Sequence, residues 1–538
     1  MQIGLINLFP SRPYFQHLIY FRYVLEKAGH KTNTFFCEGG NLNCYYKKQH
    51  AGIPDVINCL QCKLRRSAAK DEGYAFTNYK HSSKYHQNGD LPKSLYQSFR
   101  VICINSFSTI HRIEELQDIY SFYSEEMLDN DINTLNIFYI AVKKWLKDAN
   151  IQKVILFNGR MDLMAVVRLA CEDQGIGYIC YEGTFFGNGL YLFDNASCLS
   201  LRHWKECELN YIDKPLKVFQ SKAALKILQD RLNRETDLEW RSYFDKKDTN
   251  LNEYLSSKDL VLLSSTNEVS GAEDFKTKWD NYLDGIDKII ETLGINPIDV
   301  IVRGHPVWAA KICGIGGESI ENIYSSWAKV RRYRYILSNN KLDTQYLIKN
   351  TDNVIINYSS AFFEAAYFNK KIFLTHSGYY DFSGIALKVD HPQNINLIAS
   401  FVNNFDIHEN KILRLRKLLR FTYIASHRLP AFLKDIYPYN KLSWNYSTNY
   451  NQISEEIICM LNNYEYPYSD SSFNCKNSDE EIECIKSIIN NTPDKKNPQE
   501  SINPKSKLEP ISFFIKSKKS KLILRFEKML GKGDYLGI

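Results

Sequence analysis

Several features are missing from this sequence, and each absence removes a class of protein. No run approaches 18 apolar residues, so a membrane-spanning helix is not expected. No basic-plus-apolar segment precedes the first apolar strand, so no secretory signal is read and a cytoplasmic location is expected. Glycine (25) and proline (15) are sparse in 538 residues while Tyr and Phe are abundant, which excludes low-complexity and fibrous chains. The loop after the first strand, Pro10-Ser11-Arg12-Pro13, lacks a glycine fingerprint, so a dinucleotide is not expected there. No Asp-x-Asp element stands in a loop suited to hold a divalent ion, and no internal repeat of fixed period is found. The net charge of +7 is mild for this length; it suits anionic substrates or an anionic membrane surface and does not call for nucleic acid. Thirteen cysteines, an odd number mostly set in apolar runs (Cys103, Cys171, Cys180), read as reduced thiols rather than a disulfide framework.

What remains is globular: 44% hydrophobic and 24% charged, long enough for two or three domains. Residues 3–9 read as a strand, 14–28 as a helix ended by Gly29, and 31–37 as a second strand. That β-α-β order starts a parallel sheet with a right-handed crossover. Next comes Cys37-x6-Cys44-x14-Cys59-x2-Cys62. The last pair has metal-knuckle spacing, and four thiolates suffice for a structural zinc with no open catalytic position; four reduced thiols near a loop are the alternative. Helices over residues 63–150 cover the sheet, and 153–157 is a buried strand followed by the loop Asn158-Gly159-Arg160. A helix at 161–173 leads to a strand at 177–181, which ends in Glu182-Gly183-Thr184. A carboxylate presented at such a strand end is a candidate general base, weighed against an ordinary turn carboxylate. Asn158 and Arg160 share that edge and are candidate contacts for a hydroxyl-rich or anionic acceptor.

After a polar linker at 248–258 a second strand-helix series begins at 260–263. Its two pointed features follow apolar runs. Arg303-Gly304-His305-Pro306 follows Val300-Ile301-Val302, and Asn357-Tyr358-Ser359-Ser360-Ala361-Phe362-Phe363-Glu364-Ala365 follows Val354-Ile355-Ile356. Ligands of open α/β sheets bind at such strand ends. Ser359 and Ser360 can cap the next helix and leave its first N–H groups facing an anion, with Glu364 one turn on. The competing interpretation is a turn, a plain cap and a core helix. The domain plan is 1–247, an acceptor-side Rossmann-like domain with the cysteine cluster and a helical insertion; 258–433, a nucleotide-binding Rossmann-like domain; 434–508, a helical and linker extension with a Tyr/Trp-rich break at 437–450; and 509–538, a basic amphipathic tail. The fold class is thus α/β, two Rossmann-like domains facing a cleft.

Gly29-His30, the Glu182-Gly183 strand end, Arg303-x-His305-Pro306 and Ser359-Ser360-x3-Glu364-Ala365 together resemble bacterial GT-B glycosyltransferases of capsule polysaccharide biosynthesis, including the Kdo-transferase and sialyltransferase groups. The resemblance covers roughly residues 1–430 and rests on short motifs. It implies an inverting, metal-independent transfer from a nucleotide-activated sugar, CMP-Kdo or CMP-sialic acid favoured, to a glycan or glycolipid acceptor. It implies Glu182 and His305 as catalytic residues, and donor contacts from Arg303, His305, Pro306, Ser359, Ser360 and Glu364. From the residues themselves, no cofactor for catalysis and no nucleic acid partner are expected, and the basic tail is read either as a peripheral contact with the anionic inner face of the cytoplasmic membrane or as a solvated appendage. Tyr181 stands where sialyltransferase-like members often carry another acid, which loosens the assignment of donor and base; Asp162 and Glu364 are the fallback bases. Tyr358-Ser359-Ser360-Ala361-Phe362-Phe363 also resembles enzymes that polymerise teichoic acids from CDP-glycerol, and a non-catalytic polysaccharide-assembly protein is the third reading.

Overall fold

The computed structural model describes residues 1–8, 13–39, 44, 47, 54–67, 75–80, 91–113, 116–187, 189–233, 257–264, 273–275, 277–309, 316–440, 443–448, 461, 470–475, 479–490 and 508–510. Two six-stranded sheets organise these residues. The first comprises β1 (Gln2–Asn7), β2 (Lys31–Cys37), β3 (Ala75–Tyr79), β4 (Lys153–Phe157), β5 (Gly177–Gly183) and β6 (Leu190–Asp194), in the order β3-β2-β1-β4-β5-β6. Every pairing is parallel except β5 with β6. The second comprises β7 (Asp259–Leu262), β8 (Val300–Arg303), β9 (Arg334–Ile336), β10 (Asn353–Ile356), β11 (Lys371–Leu374) and β12 (Leu387–Lys388), in the order β12-β11-β10-β7-β8-β9 and parallel throughout. Numbered within each half, both sheets run 3-2-1-4-5-6, the doubly wound order of a Rossmann-like domain. Strands such as Val300–Arg303 and Asn353–Ile356 are buried at every position because helices cover both faces, so they read as apolar runs rather than alternating patterns. The molecule is therefore a two-domain α/β protein with the GT-B arrangement of two Rossmann-like halves.

The halves meet at the carboxyl edges of their sheets. Phe185, just past β5, packs edge-on against Tyr379, past β11, at 5.2 Å between centroids, and Phe186 meets Phe363, past β10, at 5.2 Å. The Arg112 guanidinium from the first half donates to the Val307 carbonyl at 2.8 Å, and Leu201 N–H donates to Asp274 Oδ2 at 2.9 Å. One apolar core runs through both halves, joining Ile3, Leu156 and Tyr181 to Leu260, Val354, Phe363 and Phe421.

After helix His408–Tyr423 the chain returns to the first half. Leu190 and Ala431 exchange backbone hydrogen bonds of 3.0 and 2.8 Å, so the returning chain covers the open side of edge strand β6. The Tyr/Trp-rich stretch expected as a break between helices is instead a hairpin of β13 (Ile436–Asn440) and β14 (Ser443–Ser447), joined by β15 (Leu508–Pro510). The physical cause is a tertiary partner: Tyr446 is fully buried 4.7 Å from the Tyr20 ring, and the Tyr20 hydroxyl donates to the Ser447 carbonyl at 2.8 Å. Helix Val218–Asn233, inside the span read as the first domain, is held by residues of the second half and the C-terminal segment. The basic tail at 511–538 lies outside the described residues. Among those described, no helix is long and apolar enough to cross a membrane.

A buried ion pair ties the C-terminal segment in. Arg420 and Glu481, 7% and 1% exposed at their side chains, meet at 2.7 Å, while Glu481 Oε1 also accepts the Leu216 N–H at 2.7 Å. Removing one partner strands the other charge. Glu481→Ala should lower the unfolding free energy by about 3–5 kcal/mol in urea denaturation; an unshifted midpoint would show that Arg420 finds water instead.

Candidate functional site

At the second sheet, the β8 end is built as a rigid turn. Gly304 N–H donates to the Ile336 carbonyl at 3.0 Å, and a hypothetical Cβ on Gly304 would lie 2.7 Å from the Tyr335 hydroxyl oxygen, so a side chain there would push the Tyr335 ring aside. Pro306–Ala309 forms a 3-10 turn whose Trp308 N–H donates to the His305 carbonyl at 2.9 Å, and Trp308 stacks on Tyr324 at 5.1 Å. Val307 N–H donates to His305 Nδ1 at 3.2 Å, which assigns the neutral ring's proton to Nε2. Arg303, expected to touch the donor, is 2% exposed and turns beneath this edge. Its guanidinium donates to the Leu337 carbonyl and, at 2.7 Å, to the Asn340 carbonyl. Burial pulls its pKa down to about 10, so it remains a cation near neutrality and braces the loop after β9.

At the β10 end, Asn357 staples two strands. Its Oδ1 accepts the Ser264 N–H at 3.1 Å and its Nδ2 donates to the Ser264 carbonyl at 2.9 Å, locking β10 to β7 at the topological switch point. Ser359 Oγ accepts the Ala361 N–H at 3.3 Å, while Phe362 and Phe363 N–H donate to the Ser359 and Ser360 carbonyls at 3.1 and 3.2 Å. The N–H groups expected to face an anion are thus taken up internally, because the helix is only Phe362–Tyr367 and is entered through a tight turn. What the serine pair offers is its half-buried hydroxyls. Glu364, expected at the donor, is 7% exposed and its Oε1 accepts from Arg231 Nε at 2.9 Å. His305 and Ser359 stand on β8 and β10 with β7 between them, two strand spacings or roughly 10 Å apart.

At the first sheet, β5 extends to Gly183, so Glu182 lies in the ladder opposite Tyr191 rather than in the loop. Asn158 adopts φ 64° and Gly159 φ 72° in the turn after β4. A Cβ on Gly159 would sit 2.3 Å from Cys180 Sγ, so only glycine allows the chain to fold back there. The turn aims the Asn158 amide at Glu182, and Nδ2 donates to Oε2 at 2.6 Å while Gly183 N–H donates to Oε1 at 3.0 Å. Burial raises the Glu182 pKa above the ordinary carboxylate range, against the hydrogen bonds from Gly183, Asn158 and Tyr14 and the charge of Arg160. Arg160 stands at the same edge, its N–H donating to Asn158 Oδ1 at 3.1 Å. The fallback base Asp162 is fully buried at the first position of helix Asp162–Asp173, its N–H donating to Ser106 Oγ at 3.1 Å.

The structure gathers Glu182, Asn158 and Arg160 on one edge, and His305, Pro306, Ser359 and Ser360 on the other. It sets Arg303 and Glu364 behind the second edge as braces. A path of rings joins the two edges: Phe185 to Tyr379 at 5.2 Å, Tyr379 to Phe275 at 4.9 Å, Phe275 to Tyr358 at 5.8 Å and Tyr358 to His376 at 4.8 Å. Tyr379 lies close enough to both Glu182 and Arg160 to feel their charges. His376, 4% exposed just past β11, has its pKa pulled down to about 3 by burial and stays neutral. Tyr14, Arg231, His376 and Tyr379 were not singled out from the sequence. Each belongs to no motif, and only the fold brings them here. For Cys37, Cys44, Cys59 and Cys62, no group of three or more His, Cys, Asp or Glu converges to hold a metal among the described residues. Cys37 Sγ instead accepts the Gly39 N–H at 3.3 Å, and Lys47 lies near Cys59 and Cys44. The zinc expectation therefore rests on spacing alone.

Because the folded Glu182 pKa lies above its unfolded value, its contribution to stability is complete at low pH and is lost as pH rises through the folded pKa. Glu182→Gln removes that loss. The variant should melt above the wild type near about pH 8 and level with it near about pH 4, below the unfolded carboxylate value. A variant melting below the wild type at the higher pH would show that the hydrogen bonds from Asn158 and Gly183 outweigh burial.

No protein-family model matches the chain, and no curated protein matches it. Among solved structures the chain is similar to the KpsC β-Kdo 2,7 transferase of Thermosulfurimonas dismutans, with 13% identity, TM-score 0.32 and coverage of 60% of this chain and 88% of that one. It is similar to the UDP-GlcNAc 2-epimerase of Methanocaldococcus jannaschii, solved with UDP-GlcNAc and UDP, with 12% identity, TM-score 0.27 and coverage of 76% and 94%. It is also similar to the spinosyn rhamnosyltransferase SpnG bound to thymidine diphosphate, with 7% identity, TM-score 0.25 and coverage of 78% and 96%. Similarity at this level assigns no activity to this chain.

Proposed function

We propose that the protein is an inverting glycosyltransferase that takes a sugar from a nucleotide donor held at the second sheet and delivers it to a hydroxyl acceptor held at the first. The observation that carries this reading is the placement of Glu182. It is a carboxylate with a raised pKa, oriented by Asn158 and Gly183 at a strand end that meets the His305 and serine-pair edge. In the proposed step the acceptor oxygen attacks the anomeric carbon, its proton passes to a Glu182 oxygen, and the bond to the nucleotide phosphate breaks. A sugar hydroxyl is a poor nucleophile near neutral pH, so removal of its proton in the transition state is what a positioned base supplies. His305 Nε2–H and the hydroxyls of Ser359 and Ser360 donate to the departing phosphate as its charge grows. Asn158 and Arg160 are the acceptor contacts. Arg303 and Glu364 act behind the donor edge and do not touch the donor.

The resemblance described from the sequence favours a CMP-activated Kdo-like or sialic-acid-like donor, a capsule or surface-polysaccharide acceptor, and a cytoplasmic protein working at the inner face of an anionic membrane. A nucleotide sugar is the proposed partner, since both strand ends carry hydrogen-bond donors, His305 on one and Ser359 and Ser360 on the other. The transfer needs no metal in this reading, because those donors take the leaving-group charge.

Calorimetric titration with CMP, CDP, UDP and GDP tests the donor half. One nucleotide should bind, and His305→Ala or Ser359→Ala should each cost about 1.5–3 kcal/mol of that binding with the fold intact. No affinity for any of the four would favour a non-catalytic assembly protein. For the acceptor half, Glu182→Gln should lower turnover roughly 10²–10⁴-fold with nucleotide affinity unchanged. Wild-type turnover should climb as pH passes upward through the Glu182 pKa, since only the ionised form accepts the proton. Normal turnover in Glu182→Gln would remove it as the base, and transfer of the donor's phosphorus into the product would mark a polyol phosphotransferase instead.

A further inference from the structure

Helix Val218–Asn233 is fixed at both ends by residues distant in sequence. At its start, fully buried Gln220 donates through Nε2 to Asp470 Oδ2 at 2.8 Å and to the Ser472 carbonyl at 3.0 Å. At its end stands Arg231, 8% exposed. Its Nε donates to Glu364 Oε1 at 2.9 Å, and its Nη2 donates to Ser360 Oγ at 3.0 Å and to the Ser360 carbonyl at 3.3 Å. The Phe363 ring lies 5.8 Å from the guanidinium carbon. One planar cation therefore spans a carboxylate on the first helical turn and both oxygens of the second serine, a geometry that a single ammonium group does not reproduce.

The consequence concerns a hydroxyl rotor. A serine hydroxyl has one proton and two lone pairs. With a lone pair of Ser360 Oγ occupied by the Arg231 N–H, the hydroxyl proton is turned away from Arg231 and is left to donate elsewhere. We propose that Arg231 is a positioning residue for the donor site: it reaches from the first half of the chain, sets the Ser360 hydroxyl and backbone, and so presents that hydroxyl to a phosphate oxygen of the nucleotide. This rests on the donor reading of the serine pair. The helix is the strut that carries the effect, held at its far end by the Asp470–Ser472 segment. Donor affinity thus depends on a residue that touches no donor atom and that no motif marks.

The test uses the full chain and whichever of CMP, CDP, UDP and GDP binds most tightly in calorimetry. Arg231→Lys keeps a cation opposite Glu364, so Tm should change little while the nucleotide dissociation constant rises about tenfold, the scale of one net hydrogen bond. Ser360→Ala should weaken binding by a similar factor. The double variant should bind no more weakly than Ser360→Ala alone, because Arg231 acts through that hydroxyl. A purely structural role would lower Tm in Arg231→Lys with the dissociation constant unchanged, and that result overturns the proposal. Additive losses in the double variant overturn it as well. If Arg231→Lys binds normally while Ser359→Ala binds weakly, the positioning role fails and the donor site stands. If Ser359→Ala also binds normally, the donor reading fails and the positioning role with it.

Discussion

A parallel strand delivers its carboxyl end, with the residues that follow, to one edge of the sheet, and in a 3-2-1-4-5-6 order that edge opens where the crossovers change direction. This constraint acts twice here. In the first half the opening lies between β1 and β4, so the turn after β4, Asn158–Arg160, and its neighbour at the end of β5 stand beside it. In the second half it lies between β7 and β10, so Asn357–Ser360 and the turn at His305 stand beside it. The two halves are packed edge to edge, through Phe185 on Tyr379 and Phe186 on Phe363, so loops beside the two openings touch.

Charge is used in two ways in this protein. The deeply buried charges are joints: Arg231 with Glu364, Arg420 with Glu481, and Arg303 on the carbonyls of Leu337 and Asn340. Each is matched by a fixed partner, which is what desolvation demands of a buried ion. Glu182 is different. The hydrogen bonds it receives come from Asn158, Gly183 and Tyr14, which are neutral, and burial moves its pKa up rather than down. Those hydrogen bonds and the charge of Arg160 pull its pKa down, and burial outweighs them. A raised pKa suits proton transfer, whereas Glu364 beside Arg231 is suited to holding structure.

The joints also explain why the C-terminal segment matters to a site it does not reach. Glu481 and Asp470 fix the start of helix Val218–Asn233, and Arg231 at the helix's end fixes Ser360. The returning chain at Ala431 covers β6, the strand paired with the one that carries Glu182. Both edges of the site are therefore braced from the same stretch of chain, beyond residue 408, which leaves the second half and closes back on the first. Such bracing keeps the carboxyl edges of the two sheets in a fixed relation.

The apolar runs Val300-Ile301-Val302 and Val354-Ile355-Ile356, and the strand-helix-strand order, determined the four central parallel strands of each sheet, since only strands covered on both faces are apolar throughout; β3, inside the stretch 63–150 read as helical, and the short or edge strands β6, β9 and β12 were not legible. They also placed Asn158, Glu182, His305 and Ser359 at strand ends, because in a parallel sheet the residue after an apolar run must lie at the carboxyl edge. The sequence did not determine what each side chain there would face. Arg303 and Glu364 sit in the same motifs as His305 and Ser359, yet one reaches sideways to the Leu337 and Asn340 carbonyls in the loop after β9 and the other meets Arg231, 133 positions away in the chain. The Tyr446 stretch became a hairpin because it packs on Tyr20, 426 residues earlier. Local pattern fixes which edge a residue reaches, because strand direction and burial are local properties. Only the tertiary structure decides whether that residue is a contact or a brace, because its partner comes from an unrelated part of the chain.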